Sequence, residues 1–328
     1  METLNLTVPV EAAGERLDKW LATAVPNVSR SRLQKLVKEG YLLDADEEVV
    51  ADNSKKIAAG DTFTLTIVPR ASDKPPVPQD LPLDILYEDD DIIVLNKAAG
   101  MVVHRGAGVE DGTLVNALLY HTGGKLSSIG MEAGRPGIVH RLDKDTSGAM
   151  LACKTDAAHI AMYRQFETHA VRRDYIALAW SEAKPAAGVI KKNIARSPRF
   201  HQEMRVVTEG GKEAITRYKT LEVFKGERVP PISMLQCNLE TGRTHQIRVH
   251  MKYSGFPLLG DAMYGDTAKY MNMTGNRDAK HYLGSLRRQM LHSKNIAFIH
   301  PTRGVALEFE APMPKDMEET ILFLRRSL

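Results

Sequence analysis

Ten residues, Ala71-Ser72-Asp73-Lys74-Pro75-Pro76-Val77-Pro78-Gln79-Asp80, decide how this chain can be divided. Their prolines fix φ and remove backbone donors, so no helix or paired strand can run through them. The stretch reads as an extended linker. It separates a small unit, 1–70, from a larger one, 81–328. The 328 residues are enough for a sizeable core and two domains. Apolar residues at 43% and charged residues at 26% fit an ordinary globular protein. A net charge of only +3 means that an anionic partner must be met by local patches.

Cys153 and Cys237 sit inside apolar runs, so reduced, buried thiols of a cytosolic protein are expected. Met1 to Asn5 carries no secretory pattern. No apolar run approaches the roughly 20 residues of a membrane span. No repeat is visible.

In the small unit Leu17, Trp20, Leu21 and Ala24 share a helical face. Pro26-Asn27 breaks the chain, and Ser29 is a candidate cap for a second helix that ends at Gly40. Leu33, Leu36 and Val37 lie on one side of that helix. Arg32, Lys35 and Lys38 lie largely on the other, with Arg30 nearby. The simpler account is a solvated face. The sharper one is a track of cations for a phosphate backbone. Lys56-Ile57 and Phe63 to Val68 read as strands.

The larger unit reads as strand-rich α+β. Candidate strands are Asp91–Lys97, Tyr175–Trp180 and Ser233–Leu239, and Thr155 or Asp156 can cap a helix reaching about His169. No glycine-rich phosphate loop is found. Its densest polar stretch is His140-Arg141-Leu142-Asp143-Lys144-Asp145-Thr146-Ser147-Gly148, flanked by Gly137-Ile138-Val139 and by the apolar run from Ala149. A polar loop between two candidate strands is a usual place to display reactive groups. Asp143 begins a pattern like a calcium loop, but that loop needs an acid at its twelfth position, where Lys154 stands. Calcium is rejected.

Two further constellations stand out. Thr241 to His250 alternates like a strand, with Gln246, Arg248 and His250 on one face and His245, Ile247 and Val249 on the other. Arg248 could then hold an anion in a fixed direction, or simply be a surface arginine. Arg172-Arg173-Asp174-Tyr175 offers a tyrosine that, taken alone, is more often core than catalytic.

Taken in order, His140-Arg141-Leu142-Asp143, Arg173-Asp174-Tyr175-Ile176-Ala177 and Gly242 to His250 resemble the RluA-type pseudouridine synthases. Asn96-Lys97, Val103-His104, Gly260-Asp261, Tyr264-Gly265 and Leu291-His292 add to the likeness. Arg16-Leu17-Asp18, Ser29 to Arg32 and Lys38-Glu39-Gly40 resemble the S4 RNA-binding module. The resemblance covers about Arg16 to Pro314. It departs at Ala98, where the family usually has proline, and at Ser293, where it has alanine. Residues 266–288 read as a variable loop.

The resemblance implies an α+β protein: an S4-like RNA-binding domain at 1–70, the linker 71–80, and a catalytic domain at 81–328 with a mixed, mainly antiparallel sheet flanked by helices and loops. It implies a cofactor-free and metal-free isomerase of uridine in 23S-type ribosomal RNA or its assembly intermediate, monomeric and cytoplasmic, with no membrane partner. Asp143 would be the catalytic carboxylate and Arg248 its counter-ion. Tyr175 would stack on the base and Ile247 pack against it. Arg141 and His140 would contact the RNA, with Arg30, Arg32, Lys35 and Lys38 meeting its backbone. Two rivals are a non-catalytic RNA-binding factor and a metal-dependent hydrolase built on Asp143 and Asp145.

Overall fold

The computed structural model describes residues 2–26, 28, 30–68, 75–106, 108–200 and 202–328, with the side chain of residue 31 left aside. Ser29, the candidate cap, and residues 71–74 of the expected linker lie outside the described residues. The chain divides into two compact units, Met1–Lys74 and Pro75–Leu328.

In the first unit, strands β1 (Glu2–Thr7), β2 (Leu42–Leu43) and β3 (Thr62–Ile67) form an antiparallel sheet in the order β1-β3-β2. Helices α1 (Leu17–Ala24) and α2 (Arg30–Lys38) bury Leu17, Trp20, Leu21, Leu33, Leu36 and Val37 with Phe63 and Leu65 of the sheet. Lys56-Ile57 is no strand, since Lys56 makes only an isolated bridge to Arg16.

The second unit starts with residues that are tied down rather than free. Asn116 Nδ2 donates to the Val77 carbonyl at 2.7 Å, and Gln79 N donates to the Asn116 carbonyl at 3.0 Å. The chain continues through β4 (Ile85–Glu88), β5 (Ile92–Lys97), α3 (Leu114–His121), β6 (Ser147–Cys153), α4 (Asp156–Glu167) and β7 (Arg172–Trp180). It goes on through β8 (Ala187–Lys191), β9 (Asn193–Arg196), β10 (Met204–Val207), β11 (Ile215–Phe224) and β12 (Ile232–Leu239). It closes with α5 (Gln246–Tyr253), α6 (Thr267–Met273), α7 (Arg277–Ser285), β13 (Leu291–Ile299), β14 (Ala306–Glu310) and α8 (Lys315–Ser327). The main sheet runs β4-β5-β6-β13-β7-β12-β11-β8, with β14 beside β13, and β9 and β10 form a separate hairpin.

Among the described residues only β6 and β13 pair in parallel, so the sheet is mixed and mainly antiparallel. The centre is buried on both faces: every residue of β6 is buried, as are all of β7 after Arg172. That explains the apolar runs, because alternation disappears when a strand has no wet side. Among the described residues, no helix is long and apolar enough to cross a membrane.

Three further expectations need correction. Gly137-Ile138-Val139 is not a strand, and Ile138 makes one isolated bridge to Ala152. Gln246 to His250 lies on a helix, α5, rather than a strand. Residues 266–288, read as a variable loop, contain α6 and α7, which place Tyr270, Ala279 and Leu283 in a core.

Candidate active site

Asp143 stands in the loop that leads into β6, and nearly every neighbour in that loop is fastened. Gly100 N donates to the Lys144 carbonyl at 3.0 Å, and the buried Lys97 Nζ donates to the same carbonyl at 2.9 Å. Burial pushes Lys97 down to about 7. Arg288 Nη1 reaches the Asp145 carbonyl at 3.1 Å, and Gln289 Nε2 donates to Thr146 Oγ1 at 3.1 Å. Ser147 Oγ bonds His292 Nδ1 at 3.0 Å. At Gly148, where φ is +117°, a Cβ would lie 2.2 Å from the Ser293 carbonyl oxygen. Glycine is therefore required for β6 to run so close to β13.

Arg248 comes to Asp143 from α5. Its Nη1 donates to Asp143 Oδ2 at 3.0 Å. Its Nε and Nη2 form a bidentate pair with Asp261 at 2.7 and 2.9 Å. The guanidinium is thus held between two carboxylates, and its centre lies 5.0 Å over the Tyr264 ring. Burial disfavours its charge, but Asp261 and then Asp143 more than offset this, so its pKa is raised. Asp261 is itself buried and also accepts from Met263 N and Tyr264 N, both at 3.0 Å. A planar fork fixed at one edge by Asp261 can aim its remaining Nη1 in only one direction.

His245 completes the surround. It sits at the N-terminus of α5 with φ of 55°. Its Nδ1 lies 2.9 Å from Tyr264 Oη, and Tyr264 Oη accepts from Met204 N at 2.7 Å. His245 Nε2 lies 3.9 Å from Asp143 Oδ1. Burial lowers the pKa of His245, which agrees with a neutral ring.

Tyr175 is buried on β7 at the floor of the same cleft, and burial pushes its phenol up. Ile247, also buried, lines the wall with Leu142, Tyr175 and Leu239. The adjoining cleft, about 530 Å³, is lined by His104, His140, Arg141, Asp143, Arg173 and Tyr175 among others. Arg141 is exposed, with Nη1 3.4 Å from His104 Nε2. His140 stacks on Phe166 at 4.7 Å, and its Nε2 accepts from Leu151 N at 2.9 Å. Burial and then Arg173 push it down to about 3, so the ring is neutral.

The structure brings together six of the sequence-predicted residues: His140, Arg141, Asp143, Tyr175, Ile247 and Arg248. Arg30, Lys35 and Lys38 lie on α2 of the first unit and are exposed. Arg32 is a correction. It is buried and donates to the Val68 carbonyl, so it does not belong to the exposed basic face. Sequence reasoning gave no role to Asp261, His245, Arg288 or Gln289. Asp261 lies thirteen residues from its partner Arg248, and no periodicity joins them.

A carboxylate with one oxygen directed by a fixed arginine, set beside a tyrosine and an aliphatic wall, is equipped for acid–base or covalent work on a flat, polar ring. The chain belongs to the RNA pseudouridylate synthase family: the family profile matches residues 91–253. It is an isomerase, an RNA pseudouridine synthase. Among similar proteins, "Ribosomal large subunit pseudouridine synthase D" of Zymomonas mobilis is 44% identical over 324 residues, which covers 97% of this chain and 96% of that protein. "Uncharacterized RNA pseudouridine synthase YlyB" of Bacillus subtilis is 42% identical over 328 residues, 100% of both chains. The fold is shared with the structure of human RNA pseudouridylate synthase domain containing 1 (TM-score 0.52, 24% identity, 80% of this chain and 98% of that one).

Proposed function

We propose that this protein converts specific uridines of large-subunit ribosomal RNA to pseudouridine, with Asp143 as the catalytic carboxylate. The observation that carries the reading is the Asp261–Arg248–Asp143 chain of ion pairs, which fixes one oxygen of a carboxylate that lines the cleft and leaves the other with only His245 at 3.9 Å. The names of the relatives supply the RNA class.

The reaction breaks the bond from N1 of the base to C1′ of the ribose. The base turns, and C5 bonds to C1′. C5 loses a proton, N1 gains one, and no atom or electron is exchanged with another molecule. Such an isomerisation requires no cofactor. Asp143 serves it by attacking the nucleotide or by taking a ribose proton while the base is detached. Arg248 is the counter-ion that keeps Asp143 in place. Tyr175, whose raised pKa keeps it a neutral phenol, offers a face for the base and a hydroxyl rather than a phenolate. Ile247 packs against the ring. Arg141, at the mouth, holds the nucleotide out of its stack, which offsets an unstacking cost of about a few kcal/mol. His140 stiffens the loop by binding Leu151 N and presents its remaining edge to the RNA.

The first unit acts as an S4-like RNA-binding domain through Arg30, Lys35 and Lys38, and the enzyme works as a cytoplasmic monomer. Mapping pseudouridine by carbodiimide-blocked reverse transcription, in cells lacking the protein, tests the reading. Loss of one or more stops in large-subunit RNA, restored by the intact gene, is expected; an unchanged map refutes it. Deleting residues 1–70 should weaken RNA binding more than it slows single-turnover chemistry at saturation. Unchanged affinity would remove the S4 assignment.

A further inference from the structure

Arg173 is a buried cation without an anion. It points from β7 into the same cleft as Tyr175, two residues on, and is only 6% exposed. Among the described residues no carboxylate pairs with it. Its Nε is buried with no hydrogen-bond partner, and Nη1 makes no hydrogen bond among the described residues. Nη2 has only two long contacts, 3.3 Å to the Leu239 carbonyl and 3.4 Å to the Glu240 carbonyl. The rest of its support is the Phe166 ring, 5.4 Å away. Burying an ion in this way is unfavourable unless a counter-charge arrives. Its neighbour Arg172, by contrast, is exposed and paired with both Asp174 and Glu308.

The surroundings say which counter-charge fits. The cleft carries Arg135, Arg141, Arg173 and Arg243 against two carboxylates, Asp143 and Glu167. Asp143 is already engaged by Arg248. His140 beside Arg173 is neutral, so it adds no competing charge. Gly242 passes so close that a Cβ there would lie 3.0 Å from Arg173 Nη1, which leaves the donor edge framed by bare backbone. Nη1, with the weakly held Nη2 beside it, forms the end of a planar fork that matches two oxygens of a phosphodiester.

We propose that Arg173 is a phosphate-binding residue, receiving a backbone phosphodiester next to the target uridine and so setting the nucleotide's depth over Asp143. The proposal rests on the uridine-isomerase reading above. It assigns to the substrate the charge that Arg173 lacks in the protein alone. Because the same phosphate is bound before and during the reaction, its loss should appear mainly in half-saturation and less in the saturated rate.

The test uses the full-length protein and a synthetic RNA spanning the mapped uridine, with each flanking phosphodiester replaced in turn by an uncharged methylphosphonate. Single-turnover rates against enzyme concentration are measured for wild type, Arg173→Gln and Arg173→Lys. Arg173→Gln should raise the half-saturating concentration on the order of 10- to 100-fold. Arg173→Lys should recover part of the loss. One methylphosphonate should impair wild type strongly and Arg173→Gln hardly at all. The melting temperature of Arg173→Gln should equal or exceed that of wild type, since a buried unpaired charge is removed; a purely structural arginine would lower it. Additive effects at every linkage, or an unchanged half-saturation in Arg173→Gln, would overturn the proposal. If Arg173→Gln does not fold, Arg173→Lys carries the same cycle. Failure of wild type to convert the unmodified RNA would strike the isomerase reading itself.

Discussion

Asp18 and Asp143 are two aspartates with arginine partners, one in each unit, and they are built to opposite ends. Asp18 is fully buried, and Arg16, Arg30 and Gln34 all donate to it, at 3.1, 3.0 and 2.6 Å. Both its oxygens are occupied. The hydrogen bond from Arg16 comes first among the causes that hold it well below the usual carboxylate range. Asp143 has a side chain 18% exposed, one direct donor at 3.0 Å, and a second group, His245 Nε2, held off at 3.9 Å. A saturated carboxylate is a structural knot. One with an oxygen left over, on a fastened loop, can react.

That contrast can be broken most sharply at Asp143. Asp143→Asn should lower turnover by on the order of a thousandfold or more, with RNA affinity and melting temperature nearly unchanged. Measurable residual turnover near wild type, by tritium release or product mapping, would end the distinction. Next in size is Arg248→Ala. It leaves Asp261 buried and unpaired, so it should destabilise the second unit by about 3–5 kcal/mol in denaturant titration, as well as abolish activity. A stable but inactive variant would mean that Arg248 serves chemistry alone. The smallest effect belongs to Asp18→Asn. It should destabilise the first unit by about 1–3 kcal/mol and leave the saturated single-turnover rate untouched. The sign with pH follows from the lowered pKa: the Asp18 contribution is present above the ordinary aspartate value of 3.8 and is lost as pH falls below it. The stability of the first unit, measured by denaturant titration at a series of acid pH values, should therefore fall less steeply with pH in Asp18→Asn than in wild type; an identical slope would contradict the saturated picture.

What could be read from the sequence depended on whether a segment has a wet side. α1 and α2 each keep one, and their buried faces were legible as stripes. α5 does not: Gln246 to Met251 are all buried, so the helical period vanishes and a short alternation mimics a strand. The error leaves Arg248 in the same cleft but reverses the logic of its neighbours. On the helix, the Gln246 amide is taken up by Thr241, Arg243 and Ile215, while Ile247 and Arg248, expected on opposite faces, share the site. The 266–288 segment misled for another reason. Its polar, methionine-containing composition suggests a loop, yet Asn276 caps α7 through Ala279 N, and the segment ends at Arg288, which grips Asp145. Asp261 was visible only as part of a family resemblance, and its pairing with Arg248 was not, because no periodicity joins a helix residue to a loop thirteen positions on.

The close crossing at Gly148 has a consequence for the life of the molecule. The loop bearing Asp143 takes its position from Ser293 and His292, and Arg288 ties it in turn to Asp316 at 2.6 Å. Synthesis proceeds from the N-terminus, so residues that stand near the middle of the chain receive their final supports only when almost all of it has emerged. A product cut short before β13 would keep Asp143, Tyr175 and Arg248 and should still be inert, because the loop bearing Asp143 would lack its supports.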